Sequence, residues 1–384
     1  MAQRSNMLEG IKVIDLSRNL AAPYCSMILA DLGAEVIKVE APEQGDDART
    51  YGPIIQDKSG YFISINRGKK SVTLNLKAPD DKKKLGRLLA DADVMLDNFR
   101  PGVLDRMGIT QEWVDSVNPN LVFASITGFG QTGPYRTKAA YDMVVQGYGG
   151  LMSITGEPGG QPTRVGVSIG DLAAGLFMAV GILADLFARE KTGRGDRLDV
   201  AMLDCQIALL ENSLIRYFAT GEVPAPIGNR HPSITPFGVY PTADGSIIIC
   251  AGNTKNWNDL CEALSAPELL GDARFLDNDL RTQNHESLCA HLSAILKTKR
   301  TGEWLSLLEA KGIPCGPVNT VADVVQNEQV LSRDMVVSIE YPGIGAIQSP
   351  GCPIKSARYA THPSIPAPDL GQHNAEILGP LSSV

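Results

Sequence analysis

The segment IKVIDLSRNLAAPYCSMILADLGAEVIKVE, residues 11–40, constrains the fold more than any other part of the chain. IKVIDL (11–16) is an apolar run of strand length, and SRNLAAP is a turn. PYCSMILADLGA (23–34) reads as a helix with Pro23 in its first turn and Gly33 at its end. EVIKVE (35–40) is the next strand. A strand, helix and strand in this order open a parallel α/β sheet. SVTLNL (71–76), DVMLDNF (93–99) and LVFASITGFG (121–130) supply further strands, with a polar helix over 79–91. The turn after the first strand lacks the G-x-G-x-x-G pattern, and without those glycines a pyrophosphate cannot approach the backbone. A Rossmann-like sheet is therefore expected, and NAD binding is not.

Further along, 142–170 is dense in glycine and reads as loops around a site. One helix is expected from Asp171 to about Lys191, stopped by KTGRG, and a second over 201–219. Proline and glycine accumulate at 222–245. The expected organisation is α/β throughout: the first part of a large domain over 1–220, a linker at 221–235 and a smaller domain at 236–330. Residues 331–384 form a second linker and return to the large domain.

The 384 residues carry a net charge of −8 and no basic run, which argues against a nucleic-acid partner. Seven cysteines, an odd number with no CxxC, suit reduced thiols in a cytoplasmic setting and suggest no metal site. The apolar run 172–188 contains Asp185 and two glycines, so a buried helix is expected and no membrane span.

Four stretches pair basic side chains with turn residues or aromatics: NRGKKS (66–71), NFRPG (98–102), DRMG (105–108) and PYRTKAAYD (134–142). Taken singly, each fits a solvated surface. Several following strand ends suit an anionic ligand, because open α/β sheets bind at the carboxyl ends of their strands. Asp171, in GVSIGDLAAG (166–175), has two readings. It fits a helix N-cap. It also fits a nucleophile, approached over glycines and kept ionised by the helix N-terminus. Asp142 either orients a neighbour or closes a turn.

Taken in order, LEGIKVIDLSRNLAAPYCSMILADLGAEVIKVE, NRGKKSVTLNLK, DNFRPGVLDRMG, GFGQTGPY, GDLAAGLFMAVGILADLFAREKTGRG, GIPCGPVNT and LGQHNAEILG resemble the class III CoA-transferases, the CaiB/BaiF family. The resemblance implies a large and a small domain joined by two linkers into a ring, with a second copy threaded through it as an interlocked homodimer. It makes Asp171 the nucleophile. It places CoA against Ala21, Leu74, Lys77, Asn98, Phe99, Arg100, Arg106, Lys138 and Tyr141. CoA enters as a thioester substrate, and no permanently bound cofactor or metal is implied.

Leu20 stands where family members acting on formyl-CoA and oxalate have a glutamine, which argues against those substrates. GNRHPS replaces their tetraglycine loop, and Arg230 within it is placed to meet a substrate carboxylate. Succinyl-CoA as donor and a short dicarboxylate as acceptor follow as the expectation. Two alternatives remain. One is a 2-methylacyl-CoA racemase, which carries a histidine where this chain has Tyr141; a phenol, with an ordinary pKa of about 10, replaces it poorly near neutral pH. The other is a non-catalytic CoA-binding protein with Asp171 as a cap.

Overall fold

Six parallel strands build the frame of the larger unit: β1 (Lys12–Asp15), β2 (Glu35–Glu40), β3 (Lys69–Thr73), β4 (Val94–Asp97), β5 (Val122–Thr127) and β6 (Arg197–Ala201). They lie in the order β3-β2-β1-β4-β5-β6, all neighbours parallel. This doubly wound order reverses direction between β1 and β4, and such reversals open a crevice outside the carboxyl ends of the strands. The computed structural model describes residues 6–361 and 363–379.

The helices that position the site are α1 (Ala21–Asp31), α2 (Gly60–Asn66), α3 (Pro79–Ala90), α4 (Asp142–Tyr148), α5 (Ile169–Thr192), α6 (Met202–Leu210) and α7 (Asn212–Thr220). On one face of the sheet, Leu29 of α1 and Ala174, Met178 and Ile182 of α5 pack on Val13, Leu96 and Ala124. On the other, Leu85 and Leu89 of α3 pack on Ile14, Met95 and Phe123. Burial on both faces is why the central strands read as continuous apolar runs.

One strand was missed and two expectations are corrected. Strand β6 was not anticipated, because RLDVA alternates polar with apolar residues at the sheet edge. The helix expected over 201–219 is two helices, α6 and α7, broken at Glu211, whose φ is +47°. The stretch 142–170 is not all loop, since it contains α4 and a short helix, Leu151–Ile154. Helix α5 is long and apolar enough to cross a membrane by length and composition. Here one of its faces is a core face, burying Ala174, Met178 and Ile182.

The larger unit comprises the chain up to Met152, Arg164–Glu222 and the chain from Glu328 onward. Its C-terminal stretch docks on the free edge of β3. The His373 N–H donates to the Ser71 carbonyl at 2.9 Å, and the Thr73 N–H to Asn374 Oδ1 at 2.8 Å. The smaller unit comprises Ser153–Thr163 and Val223–Asn327. It has an antiparallel sheet of β7 (Phe237–Pro241), β8 (Ser246–Cys250) and β9 (Cys315–Pro317), in the order β9-β8-β7. Trp257, Phe275, Leu292 and Trp304 fill its core.

Gly175 sets how closely α1 and α5 cross. A Cβ there would lie 2.6 Å from the Ala21 carbonyl oxygen and 3.1 Å from Tyr24 Cδ1. Residues four apart share a helix face, so Asp171, one turn before Gly175, lies on the face that meets the start of α1. Gly175→Val must push α1 away. The expected cost is about 1–3 kcal/mol of stability, read by denaturant unfolding, together with a large loss of activity.

Candidate active site

The turn after β1 is built from side chains contributed by its neighbours. Asp15 Oδ1 accepts the Ser17 N–H at 2.9 Å. Asn98 accepts the Arg18 N–H at 2.9 Å and donates to the Arg18 carbonyl at 2.7 Å. Asp46 accepts the Asn19 N–H at 3.0 Å, and Lys38 donates to the Ser17 carbonyl at 2.7 Å while pairing with Asp46 at 2.9 Å. Residue 19 is thereby held at φ +64° without being glycine. The N–H groups of residues 17–19 are thus all engaged within the protein. Leu20 then caps α1 without a side-chain hydrogen bond, so its own side chain leaves the first-turn amides of that helix uncovered.

Beside this turn lies a cavity of about 720 Å³, lined by Leu20, Ala21, Tyr61, Tyr141 and Asp171, among others. Asp171 is the third residue of α5, not its cap. The N-cap is Ser168, which makes no side-chain capping bond. Among the described residues nothing donates a hydrogen bond to the Asp171 carboxylate. Burial, and then the charge of Asp142, push its pKa up to about 7. This corrects the expectation that the helix N-terminus alone keeps the group ionised. The Asp142 carboxylate accepts the Gly170 N–H at 2.8 Å, which places it next to Asp171 in space.

Cations line the same cavity. Arg100, Arg106 and Arg136 line it without an ion pair among the described residues, while Arg18 pairs with Asp47 at 2.6 Å. Lys138 sits 3.7 Å from the Tyr135 ring centroid and donates to the Tyr148 hydroxyl at 3.2 Å. A protein of net charge −8 thus concentrates positive charge where a polyanion would enter.

The structure brings Leu20, Ala21, Asn98, Phe99, Arg100, Arg106, Lys138, Tyr141 and Asp171 to this one cavity. Asn98 has its amide engaged by the Arg18 backbone. Tyr141 is 71% exposed. Leu74 and Lys77 line a neighbouring, mainly apolar cavity of about 260 Å³ that shares Arg18 and Phe99 with the first. Arg230 lies in the smaller unit, where burial and then its charge hold His285 below the usual histidine range.

Tyr61, on α2, was not anticipated. Its pKa is pushed up to about 12 by burial and then by Asp171, so the phenol keeps its proton and remains a donor. No glycine pattern or basic cluster points specifically to it. Arg18, in the first turn, was missed for the same reason.

The comparisons agree with this architecture. The family model for CoA-transferase family III matches residues 8–374, and the chain belongs to that family. It is 42% identical over 378 residues to an acetyl-CoA:oxalate CoA-transferase of Acetobacter aceti, covering 98% of this chain and 96% of that one. It is 41% identical over 372 residues to a succinyl-CoA:glutarate CoA-transferase of Mus musculus, covering 97% and 85%. The crystal structure of a CaiB/BaiF family protein from Brucella suis superposes with a TM-score of 0.87 at 38% identity, covering 99% of this chain and 100% of that one. The protein is a class III CoA-transferase, an enzyme whose substrates are CoA thioesters.

Proposed function

We propose that the enzyme moves CoA from an acyl-CoA donor, succinyl-CoA in the first instance, to a short dicarboxylic acid, with Asp171 as nucleophile. The observation that carries this reading is the Asp171 carboxylate: it lines a cavity that also holds Arg100, Arg106 and Arg136, and among the described residues it receives no hydrogen bond and those arginines make no ion pair. One Asp171 oxygen attacks the thioester carbonyl, and the C–S bond breaks to give a mixed anhydride and CoA thiolate. The thiolate attacks the aspartyl carbonyl, forming an aspartyl-CoA thioester and expelling the donor acid as a carboxylate. The acceptor carboxylate then attacks that thioester, forming a second anhydride and freeing the thiolate. Thiolate attack on the acceptor's acyl carbon gives the new acyl-CoA and restores Asp171. Uncapped amides at the start of α1 and the protonated Tyr61 suit the oxyanions formed at each addition.

The names of the relatives support a dicarboxylate acceptor, glutarate in one and oxalate in the other; the oxalate relative, at 42% identity, weighs against the expectation from Leu20 that oxalate is disfavoured, so oxalate stays among the acids to test. Arg230 is the group proposed to meet the second carboxylate. Family resemblance supports an interlocked homodimer, and the exposed apolar side chains Val180 and Phe187 on α5 and Phe218 on α7 suit coverage by a second copy.

Labelled oxalate, glutarate and longer dicarboxylates incubated with succinyl-CoA test the reading: label should enter the CoA-thioester pool with at least one of them. No transfer from succinyl-CoA or acetyl-CoA to any of these acids contradicts it. The racemase alternative predicts rapid deuterium uptake at the α-carbon of a 2-methylacyl-CoA in heavy water without acceptor, and the transferase reading predicts none. Arg100→Ala and Arg136→Ala should each weaken CoA binding by about tenfold or more in calorimetry, with a smaller salt dependence.

A further inference from the structure

The loop that delivers Asp171 is tied at both ends to one turn of α4. Asp142 Oδ1 accepts the Gly170 N–H at 2.8 Å, and Asp142 Oδ2 accepts from Gln146 Nε2 at 2.8 Å. Gln146 Oε1 in turn accepts the Val165 N–H at 2.9 Å. Gln146 is fully buried and Asp142 nearly so. Residues 142 and 146 are one helical turn apart, so the two side chains form a single chain of hydrogen bonds along one face of α4. Gly170 belongs to the same arrangement. A Cβ there would lie 3.0 Å from Asp142 Oδ1 and 2.7 Å from Val145 Cγ2, so only glycine lets the acid approach this closely.

We propose that Asp142 and Gln146 are positioning residues for transfer: together they fix residues 165–170 as a rigid lead into α5, and the Asp142 charge, held against the start of that helix, sets the pH at which Asp171 becomes a nucleophile.

After burial, the Asp142 charge is what raises the Asp171 pKa. The same cavity is also lined by Tyr61 of α2, Tyr141 at the start of α4, Tyr51 and Asp47, and by the cations Arg18, Arg100, Arg106, Arg136 and Lys138. On α1, Tyr24 lies beside Gly175, one turn further along α5. Helix α6 presents Met202 to the cavity. No cation is hydrogen-bonded to Asp142 or Asp171 among the described residues. A second carboxylate charge held beside Asp171 raises its proton affinity, so the nucleophile gains basicity but must lose its proton near neutral pH.

The inference rests on Asp171 being the nucleophile, and two variants separate position from charge. Asp142→Asn keeps an oxygen for the Gly170 N–H and removes the charge, but sets its NH2 against the Gln146 Nε2 donor, so its acid limb, and not its kcat, reads the charge. The acid limb of kcat/KM, which reports the free enzyme, should move to lower pH by about one unit or more, with CoA affinity by calorimetry nearly unchanged. Gln146→Leu leaves the charge and releases residue 165. It should lower kcat by about 10- to 100-fold through misplacement, with the acid limb where it was. An unmoved limb in Asp142→Asn, whether or not the melting temperature falls, makes Asp142 a structural tie only and overturns the proposal. Wild-type kcat in Gln146→Leu overturns its positioning half. Full transfer by Asp171→Asn instead removes the underlying assignment of the nucleophile, so the two failures are distinguishable.

Discussion

Asp171→Asn is expected to fold, bind CoA and lose transfer by about 10⁴-fold or more, the scale seen when a covalent nucleophile is removed. Asn is close to Asp in size and cannot form the anhydride. Because Ser168 and not Asp171 occupies the N-cap, no cap is lost. The same variant should gain stability at neutral and alkaline pH. The Asp171 pKa is raised from 3.8 to about 7, so the ionised carboxylate costs folding free energy that is absent below about pH 4, grows between pH 4 and 7 and is complete above pH 7. The melting temperature of Asp171→Asn should exceed that of the wild type at pH 8 and converge with it near pH 4. Asp171→Ser, which cannot deamidate back to aspartate, should show the same loss of transfer.

Asp15→Ala is expected to destabilise the fold by about 3–5 kcal/mol in denaturant unfolding. Asp15 is fully buried at the end of β1. It pairs with Lys69 at 3.1 Å and accepts hydrogen bonds from the Ser17 backbone and from Ser26. Removing it leaves a buried ammonium without its anion and releases the first anchor of the turn that carries Leu20. Although burial alone would raise it, Lys69, Lys38 and the serine hydroxyls bring the Asp15 pKa down to about 2. A depressed carboxylate contributes stability that is full above about pH 4 and is lost as the pH falls toward 2, so the wild-type advantage over Asp15→Ala should shrink across that window.

The parallel sheet was legible because β1, β2, β4 and β5 are apolar runs separated by helical stretches. Strand β6 was hidden by the charged residues Arg197 and Asp199, which an edge strand tolerates. The break at Glu211 was hidden because its neighbours are ordinary helix formers and nothing local demands a positive φ there. The start of α5 was misplaced by two residues. Ser168 and Asp171 are both cap-compatible, and an intervening glycine gives no helical signal.

Strand-end topology pointed only to the basic stretches as a ligand face; the residues named one by one at the cavity, Asp171 among them, came from the family resemblance. Tyr61 reaches the cavity from a helix distant in sequence, and the tie between Asp142 and Gly170 spans 28 residues. Contacts of that range leave no local periodicity, so only the folded chain reveals them.

The central claim is that the acyl group and CoA pass through Asp171. Enzyme held with succinyl-CoA and no acceptor acid, treated with hydroxylamine or borohydride and digested, tests it by mass spectrometry. The account predicts a hydroxamate or reduced side chain on the peptide containing residue 171, absent from Asp171→Ser. Modification of a different acid, or an unmodified peptide 171 in enzyme that transfers CoA at full rate, would contradict it.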